Sequence, residues 1–186
     1  GYTSFDLNNM FNNIIQFEDN VIENAFNDYC FSQNDIETLG IQMMETLGWN
    51  GDADFIMGDD ANQMGIDQWW NFGTSQLWGY DDDNPQDGLR LKALHSNGDN
   101  YSPGSNPAMG LFGGPIVPEI GNLDNLKVLN ISNGNYITSI PDEIGNLSKL
   151  EILDLSKNKK FVLSESKFLP EGICNLMYTG GEGGMV

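Results

Sequence analysis

One motif returns at a fixed interval. Ile120, Gly121, Asn122 and Leu123 recur as Ile144, Gly145, Asn146 and Leu147, and Leu126, Leu129, Ile131 and Ser132 recur as Leu150, Leu153, Leu155 and Ser156. Every pair is 24 residues apart. A unit this short cannot bury its own apolar face, so it must stack on its neighbours. A third copy opens at "LPEGICNL", where Leu176 lies 29 residues after Leu147, so five residues are inserted within "KKFVLSESKF".

The unit can be read from its chemistry. "LKVLNIS" and "LEILDLS" place apolar residues at positions i, i+3 and i+5. The last two alternate as a short strand does and point inward, with the earlier Leu packing below them. Val128, Asn130, Ser132, Ile152, Asp154 and Ser156 then fall on the opposite face. Asn158, at the turn, is placed to satisfy backbone groups where a strand ends. "IP" sets a stiff extended bend, and "EIGNL" brings the chain back as a helical turn.

This pattern resembles the leucine-rich repeat proteins, specifically the 24-residue class with "IPxxIGNLxxLxxLxLS" found in plant-type and algal or protist proteins. The resemblance covers residues 116–158 and continues to residue 177. It implies an α/β fold: a short leucine-rich repeat solenoid whose concave strand face, here Val128, Asn130, Ser132, Ile152, Asp154 and Ser156, carries recognition. An idle, solvated strand face is the competing expectation, because two strands make a small platform. The preceding region resembles that family's N-terminal cap: a helix, then tryptophans (Trp69, Trp70), then "LWGYDDDNPQDGLRLKAL" leading into the first repeat. Plant caps usually hold a disulfide here, but this chain has no cysteine between Phe31 and Ile173.

Leu7, Met10, Phe11, Ile14, Ile15, Val21, Ile22, Ala25, Phe26 and Tyr29 follow three-four spacing and predict a helix over about 4–29. Ile36, Leu39, Met43, Met44 and Leu47 predict a second, with Asn34 and Glu37 spaced as a capping box and Gly48 ending it. A short third helix is expected over about 60–70, and "LRLKAL" reads as a strand. Residues 95–115 are rich in Gly, Pro, Ser and Asn and read as irregular loop. Two regions follow: an acidic, mainly helical N-terminal region and cap over 1–88, and a repeat region with a Gly-rich tail over 89–186.

The chain carries 27 acidic residues against 8 Lys and Arg, a formal net charge of −19. Residues 1–89 hold 17 Asp or Glu and no Lys, Arg or His; Arg90 is the first basic residue. Nucleic acid needs a basic footprint and is excluded as a partner, as is docking on anionic headgroups. A basic protein partner, bound cations or plain solubility fit this charge. No apolar run is long enough to span a membrane. The opening "GYTSFDLNN" lacks an initiator Met and a leader. That fits a trimmed chain or a processed one, secreted or organellar (a plastid lumen, for example) rather than cytosolic. Cys30 and Cys174 are too few for a disulfide scaffold.

Catalytic arrangements are weakly supported. "NGDADF" and "DDDNPQDG" lack the spacing of a calcium loop, and solvated loops are the preferred reading. His95, the single histidine, has no triad or zinc spacing around it. Asn130 and Asn146 open glycosylation sequons, although the repeat consensus itself generates such triplets. Trp69, Trp70, Phe72, Trp78 and Tyr80 form either the plug at the end of a repeat stack, which is favoured, or a sugar- or pigment-stacking platform. No cofactor, metal or catalytic residue is assigned. The expectation is a non-catalytic protein-binding module, with an accessory subunit of a larger assembly as the alternative and a carbohydrate- or small-ligand-binding protein ranked third.

Overall fold

The computed structural model describes residues 15–18, 21, 31–47, 74–81, 83–85, 88–96, 112–132 and 137–158, with 171, 173 and 176. Five strands form one sheet in chain order: β1 (Ile15–Phe17), β2 (Thr74–Tyr80), β3 (Leu89–Ser96), β4 (Val128–Asn130) and β5 (Ile152–Asp154). β2 and β3 pair antiparallel, and the other pairings are parallel. A helix, α1 (Gln33–Leu47), and 3-10 helices over Pro118–Asn122 and Asp142–Asn146 complete the elements described.

The repeats fold as their chemistry predicts. Each strand turns its leucines inward: Leu126, Leu129 and Ile131 of the first repeat are fully buried. Their counterparts Leu150, Leu153 and Leu155 pack against the same core but are only partly buried. "EIGN" makes the 3-10 turns, which bury Ile120 and Ile144. Pro141 is extended, with φ −79° and ψ 160°, as "IP" requires. The third copy contributes Ile173 and Leu176 to the same core. Asn158 donates through Nδ2 to the carbonyls of Ile131 at 2.7 Å and Leu155 at 2.8 Å, tying one repeat to the next.

The repeated glycine has a steric reason. A Cβ on Gly121 would lie 2.7 Å from the carbonyl oxygen of Glu143, in the next repeat. The two 3-10 helices stack so closely that only hydrogen fits between them.

The predicted helix over 4–29 is corrected at its centre, where residues 15–17 form β1. β1 pairs parallel with β2, and the chain stays on that edge at Glu18, whose N–H donates to the carbonyl of Trp78 at 2.8 Å. The unpaired backbone groups along β2 outweigh the helical periodicity. Apart from Val21, the rest of that stretch, the helix expected over 60–70, Trp69, Trp70, Phe72 and both cysteines lie outside the described residues. β2 itself was hidden in an aromatic-rich segment.

α1 starts slightly earlier than its apolar stripe suggests. Ser32, not Asn34, caps it: the Asp35 N–H points to Ser32 Oγ at 3.5 Å. Asn34 instead donates to the carbonyl of Asn122 at 3.3 Å. Further along, Gln42 donates to the carbonyl of Pro115 at 3.2 Å and accepts from the N–H of Val117 at 3.0 Å, while Thr46 Oγ1 accepts from Gly113 N–H at 3.1 Å. These side chains satisfy backbone groups at the entry to the first repeat, where no preceding repeat serves them. Ile36 and Leu39 bury themselves in the core beside Trp78 and Leu91.

Candidate interaction face

The register of the sheet sorts side chains into stripes that cross the strands. Leu94, Leu129 and Leu153 are aligned, as are Ala93, Val128 and Ile152, and His95, Asn130 and Asp154. Side chains alternate along a strand, so the leucine stripe faces the core and the other two share the opposite face. That face is therefore divided. One stripe is apolar and is extended by Leu77 of β2, opposite Ala93; the other is polar and is extended by Ser75, opposite His95.

The six predicted recognition residues do not occupy equivalent surroundings. Val128 is only 2% exposed, packed with Leu77 and Ala93 in a second small cluster. Ile152, the same position one repeat later, is 43% exposed. Ser132 is buried, Asn130 and Asp154 are half-buried, and Ser156 is exposed. Asn130 and Asp154 also shape the backbone. Asn130 Oδ1 accepts from Ser132 N–H at 3.1 Å and Ser132 Oγ at 2.7 Å, and Asp154 Oδ1 accepts from Ser156 N–H at 2.9 Å. Both close the turn after their strand. Of the two sequon asparagines, Asn146 is exposed.

His95 belongs to this face, a placement its lack of motif spacing conceals. It is 3% exposed. Burial pushes its imidazole below the ordinary range, against the Asp154 carboxylate and Asn130, which favour the charged form. Trp78 lies on the core side, fully buried, with Phe31 edge-on at 4.9 Å and its Nε1 donating to Gln76 Oε1 at 3.0 Å. It plugs the interior and offers no stacking surface to a ligand.

Residues 119–167 match the family model of leucine-rich repeats in two copies. Over those residues the chain is similar to leucine-rich repeats. No curated protein and no solved structure matches it. Leucine-rich repeats generally bind other proteins and typically do so without catalysing a reaction. Among the described residues, no helix is long and apolar enough to cross a membrane.

The repeats are fastened to the preceding elements by an ion cluster, buried at Arg90, Asp35 and Asp81, that the repeat pattern gave no sign of. Arg90, the first basic residue, extends from β3 and meets Asp35 of α1, Asp81 after β2 and Asp124 of the first repeat. Asp35 also accepts from Leu91 N–H at 2.8 Å. Asn125 donates to Asp81 at 2.8 Å and accepts from Lys92 at 3.1 Å and Lys149 at 3.3 Å. Lys149 occupies the position of Asn125 one repeat on, and reaches Asp83 at 3.0 Å. Lys92 is fully buried at a bulge, between Leu91, opposite Trp78, and Ala93, opposite Leu77.

Burial pushes the Asp35 carboxyl up, against the opposing pull of Arg90 and the Leu91 N–H. Burial would also raise Asp81, but the Asp83 N–H, Asn125 and Lys149 together hold it down to about 2. The acidic loop that invited a calcium reading thus turns two of its carboxylates, Asp81 and Asp83, onto the chain's own cations. Asp52 and Asp54 lie outside the described residues.

Proposed function

We propose that the chain is a non-catalytic protein-binding module. In this reading it is a short solenoid of plant-type 24-residue repeats, with residues 1–88 as its cap and 89–186 as the repeat region, the two sharing one sheet. The partner meets the divided sheet face through Ile152, Asp154 and Ser156, with Asn130 beside them and Val128 and Ser132 supporting from beneath. The single observation that carries this is Ile152: it lies in register with a buried apolar stripe, yet is 43% exposed. An apolar side chain that continues a packed row into solvent offers a partner an apolar anchor point. The net charge of −19 favours a basic partner.

The test compares capture by the wild-type chain, by Ile152→Asp and by Glu37→Lys on exposed helix surface. A partner held by wild type and Glu37→Lys but lost by Ile152→Asp supports the face. Equal capture by all three removes it.

A second reading, an accessory subunit docked into a larger assembly, is favoured by the fall in burial from Leu129 and Ile131 to Leu153 and Leu155. Sedimentation of the purified chain decides it: a stable, well-dispersed monomer counts against the subunit.

A further inference from the structure

We propose that the outer edge of β5 binds an extended peptide as an added strand, parallel to the repeat strands and carrying an apolar, apolar, basic triplet. The proposal rests on the reading of the chain as a protein-binding module and deepens it: the peptide runs beside β5 rather than across the sheet. Ile152 N–H donates to the Lys127 carbonyl at 3.1 Å, and the Asp154 carbonyl accepts from Ile131 N–H at 2.9 Å. Both residues thus turn their backbone groups toward β4. Backbone groups alternate in direction along a strand. The N–H and carbonyl of Leu153 therefore point to the opposite side, where no further strand lies among the described residues. Solvent reaches this edge: Glu151 and Ile152 are exposed and Leu153 is half-buried. A second group at the same end lacks a partner. Asn158 sends Nδ2 back to the Ile131 and Leu155 carbonyls, while its buried Oδ1 accepts no hydrogen bond among the described residues. Asn158 ties its repeat to the one before, and its spare oxygen is an acceptor for a chain laid beyond.

The occupant follows from its three neighbours. β3, β4 and β5 pair parallel, and continuing that ladder places successive residues of the peptide beside Ile152, Leu153 and Asp154. The first shares the sheet face with Ile152, which is 43% exposed, and is apolar. The second lies on the core side beside Leu153 and is apolar as well. The third meets Asp154, whose Oδ1 accepts from Ser156 N–H and whose other oxygen takes a cation, so it is Lys or Arg. In this register the first residue's carbonyl accepts from Leu153 N–H, and the third residue's N–H donates to the Leu153 carbonyl. β5 is three residues long, so these two bonds need the side chains beside them. A basic peptide suits a chain of net charge −19; a second copy of the chain, equally acidic, does not.

The probe is a capped peptide, Ser-Thr-Val-Leu-Lys-Thr-Ser, titrated into the isotope-labelled chain and followed by NMR. The expected result is a shift of the Leu153 amide with slower hydrogen exchange. N-methylation of the peptide's Lys should weaken binding about tenfold, and N-methylation of its Leu, whose N–H faces away, less than about twofold. Asp154→Asn keeps the Oδ1 acceptor and should abolish the preference for Lys over Glu in the peptide. No binding of the probe, or equal losses from the two N-methylations, overturns the proposal. So does a Leu153 amide already slow to exchange in the free chain, which would mean that the chain itself or a second copy covers the edge. Binding lost in Ile152→Asp but indifferent to N-methylation removes the edge and leaves the face reading standing. Should Asp154→Asn not fold, the two N-methylated peptides still decide on wild type.

Discussion

Arg90 grips Asp35 at two points, with Nε 3.0 Å from one carboxylate oxygen and Nη2 3.1 Å from the other. The two residues are 55 positions apart. Their pairing joins the helix to the strand that leads into the repeats, in a place where the Asp35 side chain is closed to solvent. A planar guanidinium suits this geometry and an ammonium does not. Arg90→Ala should destabilise the fold by about 3–5 kcal/mol, since it strands a buried carboxylate. Arg90→Lys should recover only part of that loss. Urea denaturation of the three proteins checks the order.

Gly121→Ala should invert the usual sign of a Gly-to-Ala change, which often stabilises by about 0.4–1 kcal/mol. The new Cβ would meet the Glu143 carbonyl oxygen at 2.7 Å, a backbone atom that cannot swing aside. A loss of about 1–3 kcal/mol is expected, as for other overpacked sites. An unchanged or raised melting temperature would show that the 3-10 helices can separate freely.

Val128 and Ile152 occupy the same position in successive repeats, which makes them a matched pair. Val128→Ala should cost about 2 kcal/mol from lost burial. Ile152→Ala should cost less than about 1 kcal/mol, because 43% of the residue is already in water. Equal losses in chemical denaturation would mean that the two sites are equally packed.

Asn158→Ala removes the donor shared by the Ile131 and Leu155 carbonyls. A loss of about 1–3 kcal/mol follows from leaving such groups without a partner. Asn158→Asp should not rescue it, since a carboxylate accepts but cannot donate. Denaturation midpoints of both variants at neutral pH provide the comparison.

Acid should act through Asp81. Its carboxyl is held down to about 2 from an ordinary value of 3.8, so its stabilising contribution is full above that ordinary value and disappears as pH falls through 2. Asp35, pushed the other way by burial, gains from protonation and opposes the trend. Asp81→Asn should therefore flatten the dependence of stability on pH between about 4 and 2. Parallel curves for the variant and wild type in urea titrations at pH 4, 3 and 2 would contradict the assignment.

The repeats were legible because each inward leucine recurs at a fixed interval and each turn has its own residues. α1 was legible from its apolar stripe. β2 was not, because Thr74, Ser75 and Gln76 are as buried as Leu77 and Trp78, so the strand shows no polar-apolar alternation. Their polarity is satisfied internally, Trp78 donating to Gln76 and Gln76 to Thr74. β1 lay within a helical spacing that pairing with β2 overrode. The ion cluster left one trace in the sequence, a first basic residue after 89 positions without one. Its partners come from four separate segments, and no spacing rule links them. On the sheet face, alternation separates Val128 and Ile152 from the inward leucines, but the difference in their burial depends on what packs around each.

The strands of the repeats lie flush, so the sheet face acts as a ruled grating with lines about 4.8 Å apart. A helix laid across it repeats every 5.4 Å or so, and over the two intervals from β3 to β5 it drifts out of step by only about 1.2 Å. An extended chain laid the same way repeats its like-facing side chains every 6.8 Å or so, and drifts by about 4 Å. In pitch, then, the apolar line ending at Ile152 and the polar line ending at Asp154 are commensurate with one edge of a crossing helix, and out of phase with a crossing strand.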